Sequence, residues 1–278
     1  MSESVLRTGR FLLLILLVEL SLVGTADAQQ QAQQQKQQQK KAQPAAFAAL
    51  AKVAKAYNIE IVTADLGLPV QTTHGAIEGR PAAQQELENY ADLFVQEFTL
   101  YPTALVKRAR LKRVVLCNEV AFAGQRRNAV PDFEHDTLYL DVSRGAYNKL
   151  YLRKVIHHEF FHIVDYRDDG SVYKDDLWAA LNPSGFQYGT GGRNAQDKPD
   201  TSLLTDKYPG FLNHYSTTGV EEDKAEMFAN MFVEPAYVES RMKKDAVLRS
   251  KVVLMKSLLG RFCPDMSDAF WDKLRRRG

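Results

Sequence analysis

The sequence predicts an α+β fold with its chemistry on one central helix, and three observations carry that reading. Alternating and β-branched apolar stretches, the pattern of strands, fall between Ile59 and Val142. Leu152, Val155, Ile156, Phe160, Ile163 and Val164 then recur at helical spacing in the run Leu150 to Tyr166. Beyond Thr218, helical patterns continue almost to the C-terminus, which predicts a mainly helical second part.

The totals exclude several classes of function. The 278 residues are 45% hydrophobic and 25% charged, as in ordinary globular proteins, and they carry a net charge of only +2. A dedicated nucleic-acid binder would show a concentrated basic face. The two basic clusters, Lys107 to Arg113 and Lys273 to Arg277, read as solvated surface. Residues 1–28 have the form of a secretory signal peptide. Arg7 and Arg10 precede an apolar run, and Ala26-Asp27-Ala28 offers a small-x-small cleavage site. The run is short and interrupted by Glu19, so no stable membrane insertion is expected after cleavage, and the mature chain is expected to be extracellular or periplasmic. Residues 29–44 are glutamine-rich and form a linker that cannot bury a core, which leaves 45–278 as the folded domain. Cys117 and Cys263 either pair in the oxidising compartment or stay as two buried thiols. Neither has a metal-ligand spacing.

Taken in order, Ala46 to Tyr57 is a modest amphipathic helix and Ile59 to Thr63 a short strand. Thr72 to Arg80 reads as glycine-bearing loop. Ala82 to Thr99 repeats Leu87, Tyr90, Ala91, Phe94, Val95 and Phe98 as a helix. Arg113 to Phe122 is a strand, and Thr137 to Val142 alternates as a half-buried one. After the apolar helix, Asp168 to Gly170 breaks the pattern. Asn182 to Gly210 is long and polar, with Gly189, Gly191 and Gly192, and reads as a mobile wall or flap of a cleft. Thr218-Gly219-Val220-Glu221 has the form of a capping box opening the next helix.

The apolar helix carries His158-Glu159-Phe160-Phe161-His162. Histidines four apart on a helix differ by about 40° and face one way, so both imidazoles can reach one metal ion. The glutamate between them points toward the ion's open position. H-E-x-x-H is the motif of zinc metallopeptidases, in which that glutamate is the general base. In the architecture called zincin, a strand such as Thr137 to Val142 forms the sheet edge beside the metal, and an extended peptide can add to it. The expected fold is thus zincin-like, a small mixed twisted sheet with an edge strand beside the motif helix.

A hydrolytic zinc site takes three protein ligands and keeps one position for water. No further glycine and histidine follow His162, so the third ligand is a carboxylate from another helix. Glu222 and Glu226 lie four apart on one face; one can bind the ion and the other can orient a ligand histidine. Glu221 reads as a solvated acid at a helix start.

Taken together, His158-Glu159-Phe160-Phe161-His162-Ile163-Val164-Asp165, Tyr215, Glu222 and Glu226 resemble the gluzincin peptidases. The similarity is greatest to the catalytic domain of anthrax lethal factor and the secreted zinc peptidases related to it. The resemblance spans about Thr137 to Phe232. It implies one zinc ion per chain on His158, His162 and Glu222, Glu159 as base, Tyr215 facing the transition-state oxyanion, and Glu226 behind a ligand. It also implies a peptide or protein substrate. Lys224 stands where the family pattern has an aromatic residue. His157 points about 100° from His158 and reads as structural. His214 competes with Tyr215, but adjacent residues in an extended segment face opposite ways. Two other functions suit the same residues, namely a catalytically idle binding module and a zinc hydrolase of non-peptide, cell-wall-type amides. The presence of every group needed for chemistry speaks against the first.

Overall fold

A single long strand, β4 (Arg113–Phe122), organises the sheet. Its run Val114-Val115-Leu116-Cys117 is fully buried, as expected of a strand covered on both faces. The structure is a computed structural model that describes residues 45–191 and 201–276. The expected signal peptide and linker, and residues 192–200 of the predicted cleft loop, lie outside the described residues.

β4 changes partners along its length. Its first half lies parallel to β1 (Glu60–Val62) and β7 (Thr137–Asp141). Its second half runs antiparallel to β3 (Gly75–Arg80) and β5 (Gln125–Arg126). Between the halves, Glu119 adopts a left-handed φ of 57°. β2 (Val70–Thr72) pairs with β3, and β6 (Ala129–Asp132) pairs antiparallel with β7, giving the order β2-β3-β4-β7-β6.

Two strand expectations are corrected. Thr72 to Arg80 is largely hairpin, β2–β3 turning at Thr73-His74, and not a loop. Its only inward core residue is Ile77, too little apolar signal to mark a strand. Thr137 to Val142 is neither half-buried nor an edge. Every residue of β7 is buried, its Tyr139 in a cluster with Leu66 and Ile77, and the parallel neighbour β4 and the antiparallel neighbour β6 flank it. The edge strand is β6, and Pro131 within it marks it as one, since proline cannot donate to a sheet ladder.

Helices cover the sheet. α1 (Ala45–Tyr57) and α2 (Gln84–Phe98) fall where the periodicity puts them. A short α3 (Thr103–Arg108) leads into β4. The motif helix α4 spans Lys149–Asp169. The Asn148 side chain accepts from Tyr151 N at 3.0 Å to cap its start, and Gly170 ends it at a left-handed φ of 79°. After a single turn, α5 (Asp176–Ala179), the C-terminal part is helical: α6 (Val220–Val233), α7 (Pro235–Lys244), α8 (Ala246–Phe262) and α9 (Asp268–Arg275). No helix among the described residues is long and apolar enough to cross a membrane.

α4 packs on α6 and on β6. Phe160, Phe161, Phe228, Phe232 and Tyr101 fill the crossing. His157 belongs to this core, as expected. It stacks on Phe232 at 4.5 Å between ring centroids, and its ring nitrogens meet Tyr101 Oη at 2.5 Å and Glu97 Oε2 at 2.9 Å. Cys117 and Cys263 are both free and buried.

All 14 residues of α6 are buried, including four acids and a lysine. Lys224 is not a misplaced aromatic but half of an ion-pair cluster, 2.5 Å from Asp165 and 2.9 Å from Asp175. Asp223 receives Lys251 Nζ, Trp178 Nε1 and Tyr188 Oη, each at 2.7 Å. Lys251 is wholly buried and lies 3.6 Å above the Phe211 ring centroid. Removing one member of such a pair strands the other charge. Lys251→Met is therefore expected to lower stability by about 3–5 kcal/mol in chemical denaturation, whereas Lys243→Met on the surface changes it little.

Candidate metal centre

α4 presents His158 and His162 on the face that meets α6, and α6 presents Glu222 and Glu226 back. Glu222 Oε2 lies 3.0 Å from His158 Nε2 and 3.7 Å from His162 Nε2, and the two imidazole nitrogens are 3.1 Å apart. Among the described residues, these three alone bring three ligating atoms within 4.8 Å of one another.

The donor set fits a zinc ion. Tetrahedral bonds of about 2.0–2.1 Å separate ligand atoms by roughly 3.3–3.4 Å, inside the observed spread. The tautomers agree as well. Glu226 Oε1 sits 3.0 Å from His158 Nδ1, and a carboxylate only accepts, so the neutral ring carries its proton on Nδ1. In that neutral form, the one a metal ligand needs, Nε2 turns its lone pair toward Glu222, where a cation would sit between them. Burial alone would raise the Glu222 carboxyl's pKa, but the two imidazoles pull it well below the usual carboxylate range. The same two carboxylates hold the His158 pKa up against burial.

The other predicted residues gather around this triangle. His158, Glu159, His162, Tyr215, Glu221 and Glu222 share the wall of one cleft of about 740 Å³. Burial pushes the Glu159 pKa up, opposed by the neighbouring histidines. Tyr215 lies on a 3-10 turn, Tyr215–Thr217, not on an extended segment. Its ring centroid is 5.9 Å from that of His158. Burial and the charges of Glu222 and Glu159 hold its phenol well above its ordinary pKa, hence protonated. His214 instead lies against Tyr208, its ring tilted by 41° with 5.6 Å between centroids. Glu226 does not reach the triangle and stands behind His158, where Asn213 Nδ2 donates to it at 2.6 Å.

Two expectations change here. Glu221 is not solvated. It is 8% exposed and its carboxyl folds back over Gly219, where a Cβ would lie 2.3 Å from Oε1. Thr218 makes no capping box. Its hydroxyl donates backward to Tyr215 O at 2.7 Å, and Gly219 takes the N-cap place. The Gly189-Thr190-Gly191 segment does line the cleft, tied by Gly189 N to Thr217 O and Gly191 N to Thr218 O at 3.0 and 2.7 Å. Asn213 and Asp223 escape sequence reasoning, since neither belongs to a spaced motif and only the fold puts them next to the site.

A sequence-family profile described as "putative zinc-binding metallo-peptidase" matches residues 130–256, from the edge strand to α8. Comparison with curated proteins finds no match. A solved structure titled "putative zinc-binding metallo-peptidase" from Bacteroides caccae is similar with a TM-score of 0.50 at 17% identity, covering 81% of this chain and 87% of that one. That likeness is one of fold. The profile match makes residues 130–256 similar to zinc-binding metallopeptidases. Zinc titration of metal-stripped protein should show one high-affinity site. Glu222→Ala should lose most of it and Glu226→Ala weaken it by about 10–100-fold. Equal losses from Glu221→Ala and Glu222→Ala would refute the third-ligand assignment.

Proposed function

We propose that this chain is a secreted zinc-dependent peptidase of the gluzincin kind, akin in its site to the lethal factor catalytic domain, hydrolysing peptide bonds in the cleft between β6 and the 188–191 wall. The observation that carries the reading is the convergence on one cleft of a His-His-Glu donor triangle, the carboxyl of Glu159 and the phenol of Tyr215.

His158, His162 and Glu222 would hold the ion. When bound, zinc supplies Lewis acidity and makes a water molecule nucleophilic near neutral pH. An extended substrate pairs along the free edge of β6, which brings its carbonyl in front of Glu159. Glu159 takes a proton from the attacking water as the water oxygen bonds to the scissile carbonyl carbon. The phenol of Tyr215 donates to the carbonyl oxygen as it gains charge. The C–N bond then breaks, and Glu159 passes the proton to the departing amine. Glu226 contributes from behind by fixing the His158 ring. A signal peptide over residues 1–28 fits export of such an enzyme.

The direct test is digestion of a peptide library with and without chelator; cleavage that zinc restores supports the proposal, and an inert zinc-loaded protein refutes it. Glu159→Gln should keep zinc and lose roughly a hundredfold to ten-thousandfold in turnover. Tyr215→Phe should keep zinc and fold, and lower kcat by about a hundredfold to a thousandfold with little change in KM, whereas His214→Ala should do much less.

A further inference from the structure

Asn213 is 0% exposed and sits two residues before Tyr215. Its carboxamide works in two directions. Nδ2 donates to Glu226 Oε2 at 2.6 Å and more weakly to Ser202 O at 3.4 Å. Oδ1 accepts from Ser216 N and from Ser216 Oγ, both at 2.9 Å. The partners fix which end is which, because a carboxylate only accepts and a backbone N–H only donates. Since Glu226 Oε1 holds His158 Nδ1, an unbroken chain of buried bonds runs from His158 through Glu226 and Asn213 to the turn that carries Tyr215.

We infer that Asn213 is a positioning residue whose single side chain sets both the orientation of the His158 ring and the place of Tyr215 over the cleft. Among the described residues, Glu226 Oε2 has one other side-chain donor, Asn230 Nδ2 at 3.3 Å, too long to replace the 2.6 Å bond. The turn is also held by Tyr215 N on Thr201 O at 2.9 Å, Thr217 N on His214 O and Gly189 N on Thr217 O at 3.0 Å, and the Thr217 and Thr218 hydroxyls on His214 O and Tyr215 O at 2.7 Å. Those bonds close the turn without linking it to the metal centre. Asn213 supplies the link that runs through Glu226 to the His158 ring, in a buried setting where each unmade bond is costly.

The Tyr215 half of this inference rests on the peptidase reading; the His158 half does not, so zinc affinity is measured beside turnover. Asn213→Asp keeps an acceptor for Ser216 and turns the donor to Glu226 into a second acceptor. Expected are a zinc affinity about 10–100-fold weaker in chelator competition, a kcat that falls while KM holds, and a cooperative melt. Adding Glu226→Gln returns a donor from the other side, because the introduced amide can donate to the aspartate and still accept from His158. The double variant should bind zinc more tightly than either single one. Parental zinc affinity in Asn213→Asp, or a double variant whose losses simply add, would overturn the assignment. If Asn213→Asp alone fails to fold, recovery in the double variant decides. A parent protein that binds zinc but cleaves nothing would refute the peptidase reading and leave the zinc cycle to judge Asn213.

Discussion

Everything at this site depends on burying the first half of α6. That helix places Glu221, Glu222, Asp223, Lys224 and Glu226 inside the protein within two turns. Isolated buried charge is too costly to keep, so each of these groups must find a partner or lose its charge. The helix N-terminus favours the acids, but by no more than about 1–2 kcal/mol. The rest comes from specific neighbours. Asp223 takes Lys251, Lys224 takes Asp165 and Asp175, and Glu226 takes His158 and Asn213.

Glu222 is the exception that explains the arrangement. Its neighbours are two imidazole nitrogens, and Glu226 already fixes the proton of one ring on the far side. Once His158 gives up its second proton, as a metal ligand must, it offers Glu222 only a lone pair. Three electron-rich atoms held 3.0–3.7 Å apart by two separate helices make poor mutual company and a good cradle for one cation. The surrounding ion pairs then have a structural task. They hold α6 at the depth and rotation where Glu222, and not Glu221 or Asp223, meets α4.

The half of this arrangement that lies within one helix is legible in the sequence. His158, Glu159 and His162 follow from helical spacing alone, and so does the structural place of His157. The helices and the two long strands are legible too, because their apolar periodicity runs for many residues. What the sequence hides depends on neighbours that local pattern cannot name. The hairpin β2–β3 buries one side chain deeply, so it shows no alternation. β7 alternates in composition yet is buried on both faces, because Tyr139 on its polar side joins a core cluster with Leu66, Ile77 and Val130. Glu221 looks like an ordinary helix-start acid until the 188–191 wall packs over it. Lys224 stands where an aromatic residue is expected, and only Asp165 on α4 and Asp175 beside α5 show how its charge is met.

The two sides of the cleft are built differently, and the difference follows from the same burial. The wall at Tyr188 to Gly191 is bonded to α6 and its entry turn, through Tyr188 to Asp223, Gly189 to Thr217 and Gly191 to Thr218. The opposite side, β6, packs on α4. His158 and His162 thus stand on the helix that packs against β6, and Glu222 on the helix bonded to the wall. The alignment of the cleft and the geometry of the metal centre are in this way one constraint. A substitution such as Lys251→Met, far from the donors in sequence, reaches both through the packing of α6.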